Sequence, residues 1–159
     1  MRTTKFLANA AIIAALYAAL TVMISPISYG AVQIRLSEAL VVLCLYTPAA
    51  IPGLFVGCFV ANLIGPFGIA DAVIGSFATL IGCFGIWALR SKPWLALMCN
   101  VISNAVIIGL ALVYMYGVKD YPLLITMAFV GLGELLSCYI PGYPLKKFLD
   151  KRAKDLHLI

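Results

Sequence analysis

Residues 6–24 read Phe-Leu-Ala-Asn-Ala-Ala-Ile-Ile-Ala-Ala-Leu-Tyr-Ala-Ala-Leu-Thr-Val-Met-Ile, a run without a single charge. A helix crossing the hydrocarbon of a bilayer needs roughly 20 apolar residues at about 1.5 Å of rise each, and this run is of that length. Arg2 and Lys5 precede it in the manner of a secretory signal. The length of the run and the further apolar runs behind it instead identify a retained first spanning helix.

The rest of the chain repeats the theme. Of 159 residues, 64% are hydrophobic and 11% charged, more apolar surface than a soluble domain of this size can hide in one core. The expected architecture is an all-α integral membrane protein, a six-transmembrane-helix bundle forming one membrane domain over residues 1–159. The expected helices span 6–24, 36–47, 49–65, 70–89, 94–117 and 121–141. Breaks are marked by Pro26, Pro48, Pro52, Gly65-Pro66, Pro93 and Pro122, because proline removes a backbone donor and disfavours helix in the residue before it. The second helix is too short to cross alone, so helices two and three can share one irregular excursion. Non-helical backbone at membrane depth is tolerated where it is covered by protein or lines a cavity.

The net charge of +5 belongs to a membrane surface and not to nucleic-acid binding, since the cations sit at the ends of apolar runs. With six crossings both termini share a side. Arg2, Lys5, Arg90, Lys92, Lys146, Lys147, Lys151, Arg152 and Lys154 then lie together, against Arg35 and Lys119 opposite, which makes the N and C termini cytoplasmic. The tail from Lys146 reads as a solvated or interfacial helix end. Cys44, Cys58, Cys83, Cys99 and Cys138 form no CxxC pair and read as small packing residues. With His157 the lone histidine, no metal site or cofactor is expected.

Polar residues inside the apolar runs are the candidate site. Glu134, in the middle of helix six, is an intramembrane carboxylate and so a functional candidate by default. Asn100 and Asn104 share a face of helix five with Ser103 beside them, either to meet a ligand or to cross-link helices. Asn62 and Asp71 fall near the non-cytoplasmic ends of helices three and four, where Asp71 reads as a cap. The connection from Ser25 to Glu38 carries Tyr29, Gln33, Arg35 and Glu38. It reads either as a snorkelling Arg35 paired with Glu38 or as a lid over a polar ligand. In helix one, Ala10, Ala14 and Ala18 and, on the adjacent face, Ala11, Ala15 and Ala19 form two small-residue ladders. Each suits close helix packing, within the chain or against another subunit.

No GxxxxGK, HExxH or GxSxG signature is present, so no enzyme is expected, and ATP hydrolysis has no phosphate loop to run on. A stand-alone exporter or channel and a membrane enzyme are the competing classes. The segments Ala18-Ala-Leu-Thr-Val, Ile27-Ser-Tyr-Gly-Ala-Val-Gln-Ile-Arg-Leu-Ser-Glu-Ala39 and Thr47-Pro-Ala-Ala-Ile-Pro-Gly-Leu-Phe-Val-Gly57, with Ala61-Asn62, resemble the QueT family. These are substrate-binding S components of energy-coupling factor (ECF) transporters. The resemblance implies a bacterial plasma-membrane protein that captures a queuosine precursor, a 7-deazaguanine base. It further implies a T component and two ATPase subunits as partners, with ATP used by those partners and the helix-one ladders docking on the T component. An S component for a different vitamin is the nearest alternative. For a guanine-like edge, a carboxylate is the matching acceptor. Glu38 is preferred over the deeper Glu134 because it belongs to the family-like segment, with Asn104 or Gln33 facing the carbonyl and Tyr29 stacking on the ring.

Overall fold

The computed structural model describes residues 3–24, 35–118 and 120–152. Tyr29 and Gln33 therefore lie outside the described residues, as does most of the expected lid. Among the described residues the structure is all-helical: α1 (Thr3–Met23), a 3-10 helix η1 (Leu36–Leu45), α2 (Ala50–Ile64), α3 (Gly68–Ala88), α4 (Pro93–Tyr114), α5 (Leu123–Tyr139) and α6 (Gly142–Arg152). Each of the six expected helices has its counterpart.

Four segments are long and apolar enough to cross a membrane: α1, α3, α4 and the 30-residue stretch Leu123–Arg152 that joins α5 to α6. The two shorter apolar helices are η1 and α2. The second expected helix is thus a 10-residue 3-10 segment, rising about 20 Å, an unusually long run for that geometry. Pro52, expected to break the chain, sits in the first turn of α2, where its missing donor has no helical partner to lose. Pro93 opens α4 for the same reason.

Glycines set the helix spacing. A Cβ on Gly53 or Gly57 would collide with Ala10 or Ala14 of α1, so α1 and α2 run parallel in close contact. Gly82 and Gly85 likewise admit Asn100 and Cys99 of α4 against α3, and Gly109 admits Met127 of α5. The sequential pairs α3–α4 and α4–α5 are therefore antiparallel. η1 runs back between the helices and touches all six of them, burying Val41, Val42 and Cys44 completely. The ladder Ala10, Ala14 and Ala18 is half-buried, with Ala10 and Ala14 against α2, whereas Ala11, Ala15 and Ala19 are exposed. The first ladder is an internal packing surface; only the second remains open to a neighbour.

Candidate ligand-binding site

Two polar clusters lie inside the apolar bundle. The inner one is built on η1. Glu38 and Glu134 are 1% and 4% exposed, each on a different element, and one amide joins them. Asn100 Nδ2 donates to Glu38 Oε2 at 3.0 Å and to Glu134 Oε2 at 3.3 Å. Tyr17 of α1 donates its hydroxyl to Glu38 Oε1. The Cys138 thiol lies 3.9 Å from Glu134 Oε2. Asn100 Oδ1 is buried and accepts no hydrogen bond among the described residues; it rests against Gly82, where a Cβ would displace it.

Both oxygens of Glu38 are therefore engaged. Glu134 differs: both its hydrogen bonds fall on Oε2, leaving Oε1 unengaged among the described residues. Glu134 lies about 16 Å along α5 from its start, and Asn100 about 10 Å along α4 from the opposite end, so the cluster sits well within the apolar slab. Glu38 was expected to be shallower than Glu134; the shared Asn100 puts both at one depth. Asn104, one turn along from Asn100, donates Nδ2 to the Asn100 carbonyl at 3.1 Å. Neighbouring Ser103 donates to the Ala78 carbonyl.

The outer cluster is built on Arg35, which stands before η1 with extended backbone and so points away from Glu38. Its guanidinium donates to Asn62 Oδ1 at 3.0 Å and lies 3.9 Å from Asp71 Oδ2. The expected pairing of Arg35 with Glu38 is replaced by this one. Asn62 Nδ2 donates to the Asp71 carbonyl at 3.2 Å, held where Gly75 leaves room. Asp71 is no cap: the α3 N-terminus has no side-chain cap, and the Asp71 carboxylate is 3% exposed in the ion pair, with Tyr116 donating to Oδ1 at 3.4 Å. Burial and then the Asp71 carboxylate push the Tyr116 phenol up to about 12, so it stays a neutral donor. The Arg35 backbone N–H ties this cluster to α5 through Ser137 Oγ at 3.0 Å. A cavity of about 280 Å³ lined by Leu36, Leu136, Ser137, Ile140 and Pro141 opens beside that bond, with no carboxylate in its wall.

Glu38, Glu134 and Cys138 bring a ligating atom each to within 4.8 Å of one another, a set able in principle to hold a metal and not anticipated from the sequence. The Asn100 amide aims its N–H groups at both carboxylates, which suits a cluster completed by hydrogen-bond donors better than one completed by a cation. Tyr17, Cys138 and Asp71 were missed as site residues.

An apolar helical bundle enclosing charged groups defines a multi-pass membrane protein with a polar interior screened from lipid. The chain belongs to the QueT family: the QueT transporter description matches residues 7–151. It is similar to the "Queuosine precursor transporter QueT" of Lactococcus lactis subsp. cremoris, 29% identical over 158 aligned positions that cover 90% of each chain. No solved structure matches significantly. A transporter family is not an enzyme class.

Proposed function

We propose that this chain is the substrate-binding S component of an ECF-type importer in the bacterial plasma membrane, capturing a queuosine precursor of the 7-deazaguanine class from outside. The single observation that carries the ligand reading is Glu134: a carboxylate buried in an apolar bundle, with one oxygen fixed by Asn100 and the other unengaged. A buried charge without enough donors is costly, and a guanine-like edge supplies two adjacent N–H donors to such an acceptor. Glu134 thereby replaces Glu38 as the preferred ligand carboxylate. Glu38 orients the shared amide, and Asn104 lies within a turn for the carbonyl edge.

With no phosphate loop in the sequence, energy comes from outside the chain: a T component and two ATPases that consume ATP, with no cofactor bound here. Docking falls to the exposed ladder Ala11, Ala15 and Ala19, because Ala10 and Ala14 are already against Gly53 and Gly57. The positive-inside distribution supports cytoplasmic termini.

Titration calorimetry of the purified chain with 7-deazaguanine tests the ligand reading. Glu134→Gln should lose at least ~30-fold in affinity, about 2 kcal/mol or more, by leaving a ligand donor facing an amide. Unchanged affinity in a folded Glu134→Gln variant moves the site elsewhere. Co-purification of the wild-type chain with two ATPases, lost in Ala15→Trp, tests the docking; full co-purification of Ala15→Trp overturns it.

A further inference from the structure

The end of the bundle that holds the start of α1 and all of α6 carries both tryptophans of the chain. Trp87 closes α3 and Trp94 opens α4, where Trp94 stacks with Tyr139 and Tyr143 at centroid distances of 5.9 and 5.5 Å. Tryptophan and tyrosine gather at the level of lipid headgroups, where the ring lies in an apolar surround and its N–H or O–H reaches water. This end of the bundle therefore sits at a headgroup layer.

Arg90 stands at that level, just past the end of α3, and its side chain is held in place. Nη1 donates to the Trp87 carbonyl at 2.8 Å, and the guanidinium carbon lies 4.3 Å from the centroid of the Trp87 ring. A guanidinium has five N–H donors, so most of them are left for another partner. Arg90 and Ser91 line a cavity of about 490 Å³ whose other walls are Ala88 and, at the end of η1, Leu45. That volume is in the ordinary range for small-molecule sites, about 300–1,000 Å³, and no carboxylate stands in the wall. The one described carboxylate at this end, Asp150, is already engaged, with Lys146 at 2.7 Å from Oδ2 and Tyr46 donating to Oδ1. A snorkelling arginine needs only water at its tip; here the tip is oriented by a ring and faces a hollow.

We propose that Arg90 and Ser91 form a seat for the phosphate of an anionic phospholipid, with the headgroup in the hollow between the ends of α3 and η1. Basic pockets of this kind between membrane helices recognise anionic headgroups, and a guanidinium offers phosphate a planar fork that lysine lacks. The acyl chains have a path as well. Phe84 and Ile81 share the helix face of Ala88, at successive helical turns away from the cavity, and both are more than half exposed. A lipid, and not a free phosphate, fits a cationic hollow that continues into an apolar stripe. The seat is independent of the ligand reading above.

The test uses the full chain with Trp94→Phe, which leaves Trp87 as the sole tryptophan and keeps a ring against Tyr139 and Tyr143. The chain is placed in nanodiscs of phosphatidylcholine and phosphatidylglycerol in which one lipid or the other, at matched amounts, carries brominated acyl chains that quench a nearby indole. Association of phosphatidylglycerol beside Trp87 should exceed that of phosphatidylcholine about fivefold, the weight of one basic side chain at an anionic surface. Arg90→Gln should bring the ratio close to one, and Arg90→Lys should keep part of it. Lys5→Gln removes the same charge from α1 at the same end and should leave the ratio as it was. Equal quenching by the two lipids in the Trp94→Phe chain overturns the seat, and needs no substitution at Arg90 to do so. Equal falls in Arg90→Gln and Lys5→Gln make the preference one of diffuse surface charge and overturn it too. Inorganic phosphate should relieve the quenching by brominated phosphatidylglycerol no more than sodium chloride of equal ionic strength does. Relief by phosphate alone makes the hollow a site for free phosphate groups and sinks the lipid reading.

Discussion

The inner and outer clusters use the same kinds of side chain to opposite ends. Around Arg35, donors and acceptors are matched: the guanidinium faces Asn62 and Asp71, the Asn62 amide turns back to the Asp71 carbonyl, and Tyr116 adds a further donor to the carboxylate. Around Asn100 they are not. Two carboxylates draw on one amide, one phenol and one weakly donating thiol, and no cation among the described residues faces them at ion-pair distance. The difference separates a cluster complete in itself from the one we propose as the site, where an acceptor without a donor in an apolar surround is costly until a ligand supplies one. In this molecule the charge conspicuous in the sequence as a snorkelling candidate, Arg35, belongs to the complete cluster.

The sharpest way to break this contrast is to unmatch the outer cluster. Arg35→Met removes the cation and leaves Asp71 buried with only the distant Tyr116 hydroxyl. Removing one partner of a buried pair costs about 3–5 kcal/mol, and the loss should appear as a large fall in thermal stability in detergent. Arg35→Met with Asp71→Leu should recover most of it, since replacing both partners by apolar groups is near neutral. If the single variant is as stable as wild type, the outer cluster is not the structural one.

The inner cluster predicts the reverse pattern. Glu134→Gln removes a surplus acceptor, so stability in the absence of ligand should hold or rise while affinity falls by about 2 kcal/mol or more. Tyr17→Phe leaves Glu38 Oε1 without its donor and should cost about 1–3 kcal/mol of stability, measured by the same melting assay. Equal stability losses for Glu134→Gln and Tyr17→Phe would erase the distinction between a ligand-facing and a supporting carboxylate.

Much of this architecture is legible in the sequence because lipid enforces a simple rule: a long uncharged run must be helix. The run at 6–24 and the spans after residue 65 follow it, and Glu134 and Asn100 stand out because any polar group there is costly. Legibility fails where contacts depend on backbone geometry. Arg35 and Glu38 are spaced to pair across a turn, but Arg35 precedes the helix in extended conformation, which sends its side chain to α2 and α3. Asp71 sits in the first turn of α3, so its capping role and its ion-pair role look alike until Arg35 is located. Tyr17 lies in an alanine-rich helix with nothing in its neighbours to single out its hydroxyl. The two alanine ladders are equivalent in spacing; only Gly53 and Gly57 on a separate helix decide which one is buried.

The smallest expected effect is also the finest probe of the contrast, because it compares the two tyrosines. Tyr17 and Tyr116 each donate a hydroxyl to a buried carboxylate, but their acceptors are supported unequally. Asp71 keeps Arg35 when Tyr116 becomes Phe, and the bond removed is long at 3.4 Å, near the limit at which a hydroxyl bond retains much strength. When Tyr17 becomes Phe, Glu38 keeps the Asn100 amide but has no cation at ion-pair distance among the described residues. Tyr116→Phe should therefore cost under about 1 kcal/mol, within the range of a single weak neutral hydrogen bond, and shift the melting temperature by a few degrees at most, while Tyr17→Phe shifts it visibly more. A Tyr116→Phe variant that melts as low as Tyr17→Phe would mean that the Arg35–Asp71 pair at 3.9 Å does not hold Asp71 by itself, and that the outer cluster, like the inner one, depends on its phenol.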